Sequence, residues 1–190
     1  MTGRRSATAG RSSRAGRAFF DRPADRVARG LLGATLTVHG GSSVRSVRIV
    51  ETEAYLRGDP ASHAFRGPTK RNRSMFSCPG TLYVYRIHQV VCANLVAREG
   101  EAALLRAGAT DLGPPDTARG PGRLCRFLGI TQDDDGADAV AGTRVEVRLG
   151  ARVARPILVG PRVGIRRAAD RPLRFALPGE PAVSRPRSLR

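Results

Sequence analysis

The stretch VRIVETEAY, residues 47–55, limits what this chain can fold into more than any other segment. It reads as a strand, and alternate side chains of a strand share a face, so Val47, Ile49, Glu51, Glu53 and Tyr55 are expected to point one way while Arg48, Val50, Thr52 and Ala54 point the other. Two carboxylates then continue an apolar row. An anion at the edge of a core is costly to desolvate and needs either a partner or a function. Two carboxylates two residues apart on a strand stand roughly 7 Å from each other, a separation at which an acid and a base can flank a glycosidic bond with a water between them. Pairing with some of the chain's many arginines is the competing reading.

The surrounding segments read as a sheet with few helices. FDRPADRVARGLLGATL starts as a helix, with Asp21 near the cap, Pro23 in the first turn, and Val27, Leu31 and Leu32 on one face. It feeds the strand TLTVHG, and a GGSS turn joins that strand to the carboxylate strand as a hairpin. Residues 56–72 form a long irregular loop rich in Gly, Pro and charge, of a length that usually carries function. GTLYVYRIHQVVCANLVA and EAALLRA are β-rich, with Tyr83 and Tyr85 in alternation. After a Pro/Gly connector over residues 112–122, RLCRFLGI predicts a short amphipathic helix stopped near Gly129, and DDDGAD an exposed acidic loop. TRVEVRLG, RPILVGPRVGI and PLRFALPG alternate like late strands. The expectation is a single mixed α/β (α+β) domain over residues 19–182, dominated by antiparallel sheet. Residues 1–17 carry five arginines, no acid and no apolar periodicity, so residues 1–18 are expected to be a disordered basic tail, and 183–190 a second basic tail.

Charge narrows the partner. The chain has 33 basic and 16 acidic residues, a net charge of +17, and every basic residue except Lys70 is an arginine. A field of rigid, bidentate donors suggests a polyanion, nucleic acid first. Cys78, Cys92 and Cys125 form no CxxC pair, and the histidines are His39, His63 and His88, so neither a disulfide framework nor a metal site is expected. Short apolar runs and an N-terminus without an apolar core point to a cytoplasmic protein with no membrane span.

Several words stand in a telling order: VETEAY, a histidine in DPASHAF, RNRSMFSCPGTLYVY, CANL, LLRA, GPGRLC, and RVGI followed by RPLRF. In that order and with similar gaps, over about residues 24–180, the chain resembles the alkyladenine (3-methyladenine) DNA glycosylase family. The resemblance implies a curved antiparallel sheet with flanking helices and a β-hairpin that inserts into DNA. It also implies release of alkylated or deaminated purines from double-stranded DNA by a monomer that needs no cofactor and stays with DNA in the cytoplasm. A base inside a duplex is out of reach, so such an enzyme flips the nucleotide into a pocket before hydrolysing its N-glycosidic bond.

The motif places the catalytic carboxylate on Glu53, with Glu51 as a supporting group, and it places Arg106 of LLRA beside the attacking water and the neighbouring phosphate. Tyr55, His63 and Tyr85 resemble the walls that stack on the flipped base. Asn94 resembles the amide that crowds the exocyclic amino group of guanine, and Val163 a residue whose carbonyl meets the water. Lys70, the single lysine, lies among Arg66, Arg71 and Arg73 and reads with Arg71 and Arg73 as phosphate contact rather than as a Schiff-base amine, so the enzyme is expected to be monofunctional. One departure stands out: the family usually carries Tyr-Gly at the hairpin tip, whereas this chain has His88 and Gln89. Two other readings remain on sequence alone, a non-catalytic nucleic-acid-binding protein and a carbohydrate hydrolase using Glu51 and Glu53.

Overall fold

VRIVETEAY lies at the end of a strand spanning Ser43–Tyr55, around which the rest of the sheet is arranged. The computed structural model describes residues 12–41, 43–150, 156–184 and 189. In chain order the elements are β1 (Ser13–Arg14), α1 (Arg17–Phe20), α2 (Ala24–Leu31), β2 (Thr35–Gly40), β3 (Ser43–Tyr55), β4 (Leu82–Ile87), β5 (Val90–Val96), β6 (Ala102–Ala109), α3 (Pro121–Leu128), β7 (Val145–Leu149), β8 (Leu158–Gly160) and β9 (Arg174–Ala176). The strands run β1-β7-β2-β3-β6-β5-β4, every pairing antiparallel, with β9 added to the C-terminal half of β3 and β8 added to β9. The result is a mixed α/β domain on a strongly curled antiparallel sheet with few helices.

Alternation sorts the inner strands into two faces. Leu82 and Val84 on β4, Ala93 and Leu95 on β5, and Ala103 and Leu105 on β6 join the main apolar core with Phe20, Val27 and Leu31 of the first two helices and Leu124 and Leu128 of α3. The residues between them, Tyr83 and Tyr85, Cys92 and Asn94, Leu104 and Arg106, line a cleft. On β3 this alternation is interrupted. The register with β6 shifts between Ile49 and Glu51 and again between Glu51 and Thr52. A bulge of this kind inserts one extra residue and re-aims the side chains beyond it. Val47 and Ile49 before it, and Val50 and Ala54 within and after it, all join the core, while the Thr52 hydroxyl donates to the Ala28 carbonyl of α2 at 2.9 Å. The simple alternation expected for VRIVETEAY is therefore corrected: the core-facing row changes parity at Val50, and Glu51, Glu53 and Tyr55 face away from the Val47–Ile49 row.

Both ends of the domain reach further than the sequence suggests. Residues 1–11 lie outside the described residues, but 12–18 belong to the fold. Ser13 and Arg14 pair with Leu149 and Arg148, Ala15 is fully buried, and Arg17 donates to Asp138 at 2.7 and 3.2 Å. At the other end Val183 and Ser184 are buried, and residues 185–188 and 190 lie outside the described set. The acidic loop DDDGAD is a fastener rather than a solvated run. Asp134 accepts from Thr131 N–H and from Arg144, Asp135 accepts from Val84 N–H and the Ser74 hydroxyl, and Asp138 takes Arg17. Gly129 ends α3 in the left-handed region, φ 70°, as its position predicts.

Candidate active site

The cleft has a volume of about 300 Å³ and is walled by β4, β5 and β6, by the loop after β3 and by the Val163–Ile165 segment. Behind its floor lie the two carboxylates, each with no exposed surface. Arg106, only 5% exposed, joins them: its Nε donates to Glu51 Oε1 at 2.8 Å, and its Nη1 lies 3.0 Å from Glu53 Oε1. Arg106 sits where the β6 register slips past β3, between the partners of Glu51 and Thr52, so the same irregularity that turns the carboxylates also turns their counter-ion toward them.

The two carboxylates are held differently. Glu51 accepts Arg106 Nε and Arg174 Nε (2.7 Å) on one oxygen together with the Ser184 hydroxyl (2.8 Å), and the Ser184 N–H on the other (2.6 Å). Burial opposes its ionisation, but Arg106, the Ser184 N–H and Arg174 together outweigh this and hold the carboxyl below the ordinary range. Glu53 accepts the Val163 N–H (2.8 Å) and Arg106 on Oε1, but among the described residues only the Tyr55 hydroxyl (3.0 Å) on Oε2. A carboxylate oxygen carries two lone pairs, and Oε2 meets one donor among the described residues, so at least one acceptor position on it is open. Burial raises the Glu53 pKa above the ordinary range despite Arg106, the Val163 N–H and Tyr55. A carboxylate made more basic and left with a free acceptor position is suited to take a proton from water.

Tyr55 belongs to this group rather than to the slot alone. Burial and the Glu53 charge push its phenol pKa far up, so it stays protonated and donates. Its ring is backed by Arg162, whose guanidinium carbon lies 4.6 Å from the ring centre. Arg162, its side chain fully buried, is paired with buried Asp59 and also donates to the Ala54 carbonyl at 3.0 Å. It is thus the brace behind both Tyr55 and the adjoining Val163 amide.

Further out, three rings form an aromatic wall. His63 and Tyr85 have centroids 4.5 Å apart at 68°, and Tyr83 and Tyr85 are 5.6 Å apart. His63 Nδ1 and the Tyr83 hydroxyl share a 2.9 Å hydrogen bond. Burial and nearby Arg71 lower the His63 pKa, which favours the neutral ring, and burial pushes the Tyr83 phenol up to about 12. Asn94 lies across the β4–β5 ladder from Tyr83 and donates to its carbonyl at 3.1 Å. His88 lines the rim from the two-residue turn between Ile87 and Val90, with φ 51°.

The structure thus gathers Glu53, Arg106, Tyr55, His63, Tyr85, Asn94, Val163 and His88 at one cleft. Lys70, Arg71 and Arg73 are exposed and outside its lining. The Val163 N–H donates to Glu53, a contact the sequence did not suggest. Tyr83, Arg174, Ser184, Arg162 and Asp59 were not singled out from sequence. The alternation of Tyr83 with Tyr85 did carry a signal for the first. The others are contacts between distant segments and had none.

The whole-chain comparison gives the family. The model of the methylpurine-DNA glycosylase family matches residues 18–181. The chain belongs to that family. A protein of Rhizobium johnstonii is 41% identical over 183 residues, covering 90% of this chain and 89% of its own. One from Methanoculleus marisnigri is 44% identical over 188 residues, covering 88% and 97%, and one from Mycobacterium sp. strain KMS is 44% identical over 181, covering 83% and 86%. Each is named "Putative 3-methyladenine DNA glycosylase". As a methylpurine-DNA glycosylase the chain is a hydrolase of N-glycosyl bonds whose substrate is DNA. Among the described residues no helix is long and apolar enough to cross a membrane.

Proposed function

We propose that this glycosylase, acting as a monofunctional enzyme, flips an alkylated or deaminated purine nucleotide from double-stranded DNA into the cleft and hydrolyses its N-glycosidic bond with a water activated by Glu53. The single observation that carries the reading is the open acceptor position on Glu53 Oε2, in a carboxylate held by Tyr55, Val163 and Arg106, all three of which line the cleft. A water meeting Oε2 from the cleft side gives up its proton to a carboxylate made basic by burial. The same carboxylate lies close to the sugar carbon as it gains oxocarbenium character, and a fixed anion there stabilises positive charge without reorganisation. Arg106 keeps Glu53 in place from the opposite side.

The rings favour an electron-poor or cationic purine, whose positive edge is attracted to aromatic faces. Asn94, fixed to the Tyr83 carbonyl, supplies a rigid amide in the slot, placed to clash with the exocyclic amino group of guanine. Lys70 lies outside the cleft lining, so no lysine is available there for a Schiff base. The decisive experiment incubates the enzyme with duplexes that each carry one defined lesion, 3-methyladenine or hypoxanthine among them, with and without alkali and with borohydride. Base release with strand breakage only after alkali is expected. No excision of any purine lesion would overturn the reading, and a borohydride-trapped adduct would overturn its monofunctional part.

The same reading makes His88 the side chain that enters the gap left by the flipped base. Its backbone sits in the left-handed region that glycine tolerates best, so His88→Gly removes the ring while suiting the turn. Affinity for a lesion duplex is expected to fall roughly fivefold to a hundredfold, the range of an aromatic base stack, with the melting temperature held or raised. Unchanged affinity by fluorescence anisotropy would pass the role to Gln89 or Arg86.

A further inference from the structure

On the far side of the His63–Tyr83 wall lies a second groove, with a volume of about 500 Å³. It shares Ser62, His63, Tyr83 and Ile87 with the active cleft. Its own lining includes Phe65, Arg66, Thr69, Arg71 and Arg167, with no carboxylate. None of the three arginines has an acidic partner among the described residues. Phe65 is 45% exposed, among the few large apolar side chains left open to solvent.

Phe65 is held there by a built loop. Buried Asn72 closes residues 63–72 on themselves: its Nδ2 donates to the carbonyls of His63 (2.8 Å) and Gly67 (3.1 Å), and its Oδ1 accepts from Thr69 N–H (2.6 Å) and the Thr69 hydroxyl (2.9 Å). Arg71 ties the same loop to the β4–β5 hairpin through the Arg86 carbonyl at 3.0 Å. The polar groups of the segment thus shape a rigid turn, and an exposed phenyl ring among unneutralised guanidinium groups is what that turn presents.

We infer that this groove is a second nucleotide subsite, which takes the nucleotide adjacent to the flipped one on the damaged strand, its base against Phe65 and its phosphate against Arg66 and Arg167. The inference rests on the proposed base-flipping reading. Flipping strips a stacking face from each flanking base; the small His88 ring in the gap restores only part of that stacking, and an exposed phenyl ring beside the cleft offers a further face for any base sequence. A phosphate needs guanidinium groups not already spent on carboxylates. Continuity chooses the occupant: the groove adjoins the cleft through Ser62, His63, Tyr83 and Ile87, so a strand whose nucleotide enters the cleft has this groove next to it for the neighbouring nucleotide.

The test uses the full-length enzyme and lesion duplexes in which the nucleotide 5′ or 3′ of the lesion keeps its base or is replaced by an abasic analogue, with binding measured by anisotropy. For wild type, removing the flanking base on one side is expected to weaken binding at least about fivefold, the low end of an aromatic stack. Phe65→Ala should produce the same loss on the intact duplex and no further loss on the duplex already lacking that base. Arg167→Ala should lower the slope of log affinity against log salt by about 0.9 for the one phosphate released. Phe65→Ala binding as tightly as wild type, or losses that add in full on both sides, would overturn the inference. Because wild-type excision of the intact lesion duplex is read in the same series, failure of the subsite is separable from failure of the base-excision reading.

Discussion

Glu53→Gln is expected to reduce excision at least ~100-fold, the usual scale for loss of a positioned acid or base, while lesion-DNA affinity stays within a few-fold. The substitution keeps the shape of the side chain and an oxygen able to accept the Val163 N–H. What it removes is the charge that takes the water's proton and faces the developing cation. Arg106 keeps Glu51 as its partner, and the charge removed is one whose ionisation burial already opposes, so the melting temperature is expected to change little and the lost activity will not report unfolding. The pH profile supplies a second reading. Glu53 must be ionised to act as base, and its pKa is raised, so wild-type single-turnover rates should fall on the acid side at a pH above the ordinary glutamate value of about 4.3. Normal excision by Glu53→Gln would end the assignment and make Glu51 the first suspect.

How much of this was legible in the sequence differs by level. The β2–β3 hairpin, the stop at Gly129 and the alternation of Tyr83 with Tyr85 follow from local chemistry, and the structure has them. The bulge at Val50 is invisible in VRIVETEAY, because strict alternation and an interrupted one contain the same residues. Only pairing with β6 reveals which side each carboxylate takes. The arginines were opaque for the opposite reason. With 33 basic residues, nothing local marks Arg162 and Arg174 as buried and paired while Arg66 and Arg167 stay exposed. Their difference lies in partners more than a hundred positions away, Asp59 and Glu51. The tail expected over residues 1–18 failed at 12–18 because strand pairing and the Arg17–Asp138 contact do not need an apolar pattern.

Glu51→Ala is expected to be the most destabilising single change near the cleft. It leaves two buried cations, Arg106 and Arg174, without the oxygen they share, and it leaves the Ser184 N–H and hydroxyl without their acceptor. Removing one partner of a buried ion pair costs about 3–5 kcal/mol, and at about 2–4 °C per kcal/mol for a domain of this size the melting temperature should drop by roughly 6–20 °C. Arg106 also loses the contact that fixes its Nε, so excision should fall even at temperatures where the variant is folded. Glu51→Gln separates charge from shape: it can still accept a hydrogen bond but cannot neutralise, and its loss should be intermediate. The sign of the pH effect follows from the direction of the shift. A carboxyl whose folded pKa lies below its unfolded one contributes stability that is complete above the unfolded value, about 4.3, and is lost as pH falls from there through the folded value. Glu53 titrates with the opposite sign, so the clean measurement places Glu51→Gln in the Glu53→Gln background and compares melts of the single and double variants between pH 3 and 7. The gap between them should be full near neutrality and close on acidification. A gap independent of pH, or Glu51→Ala melting within a degree or two of wild type, would mean that Glu51 is not the anion that holds Arg106 and Arg174 in the interior.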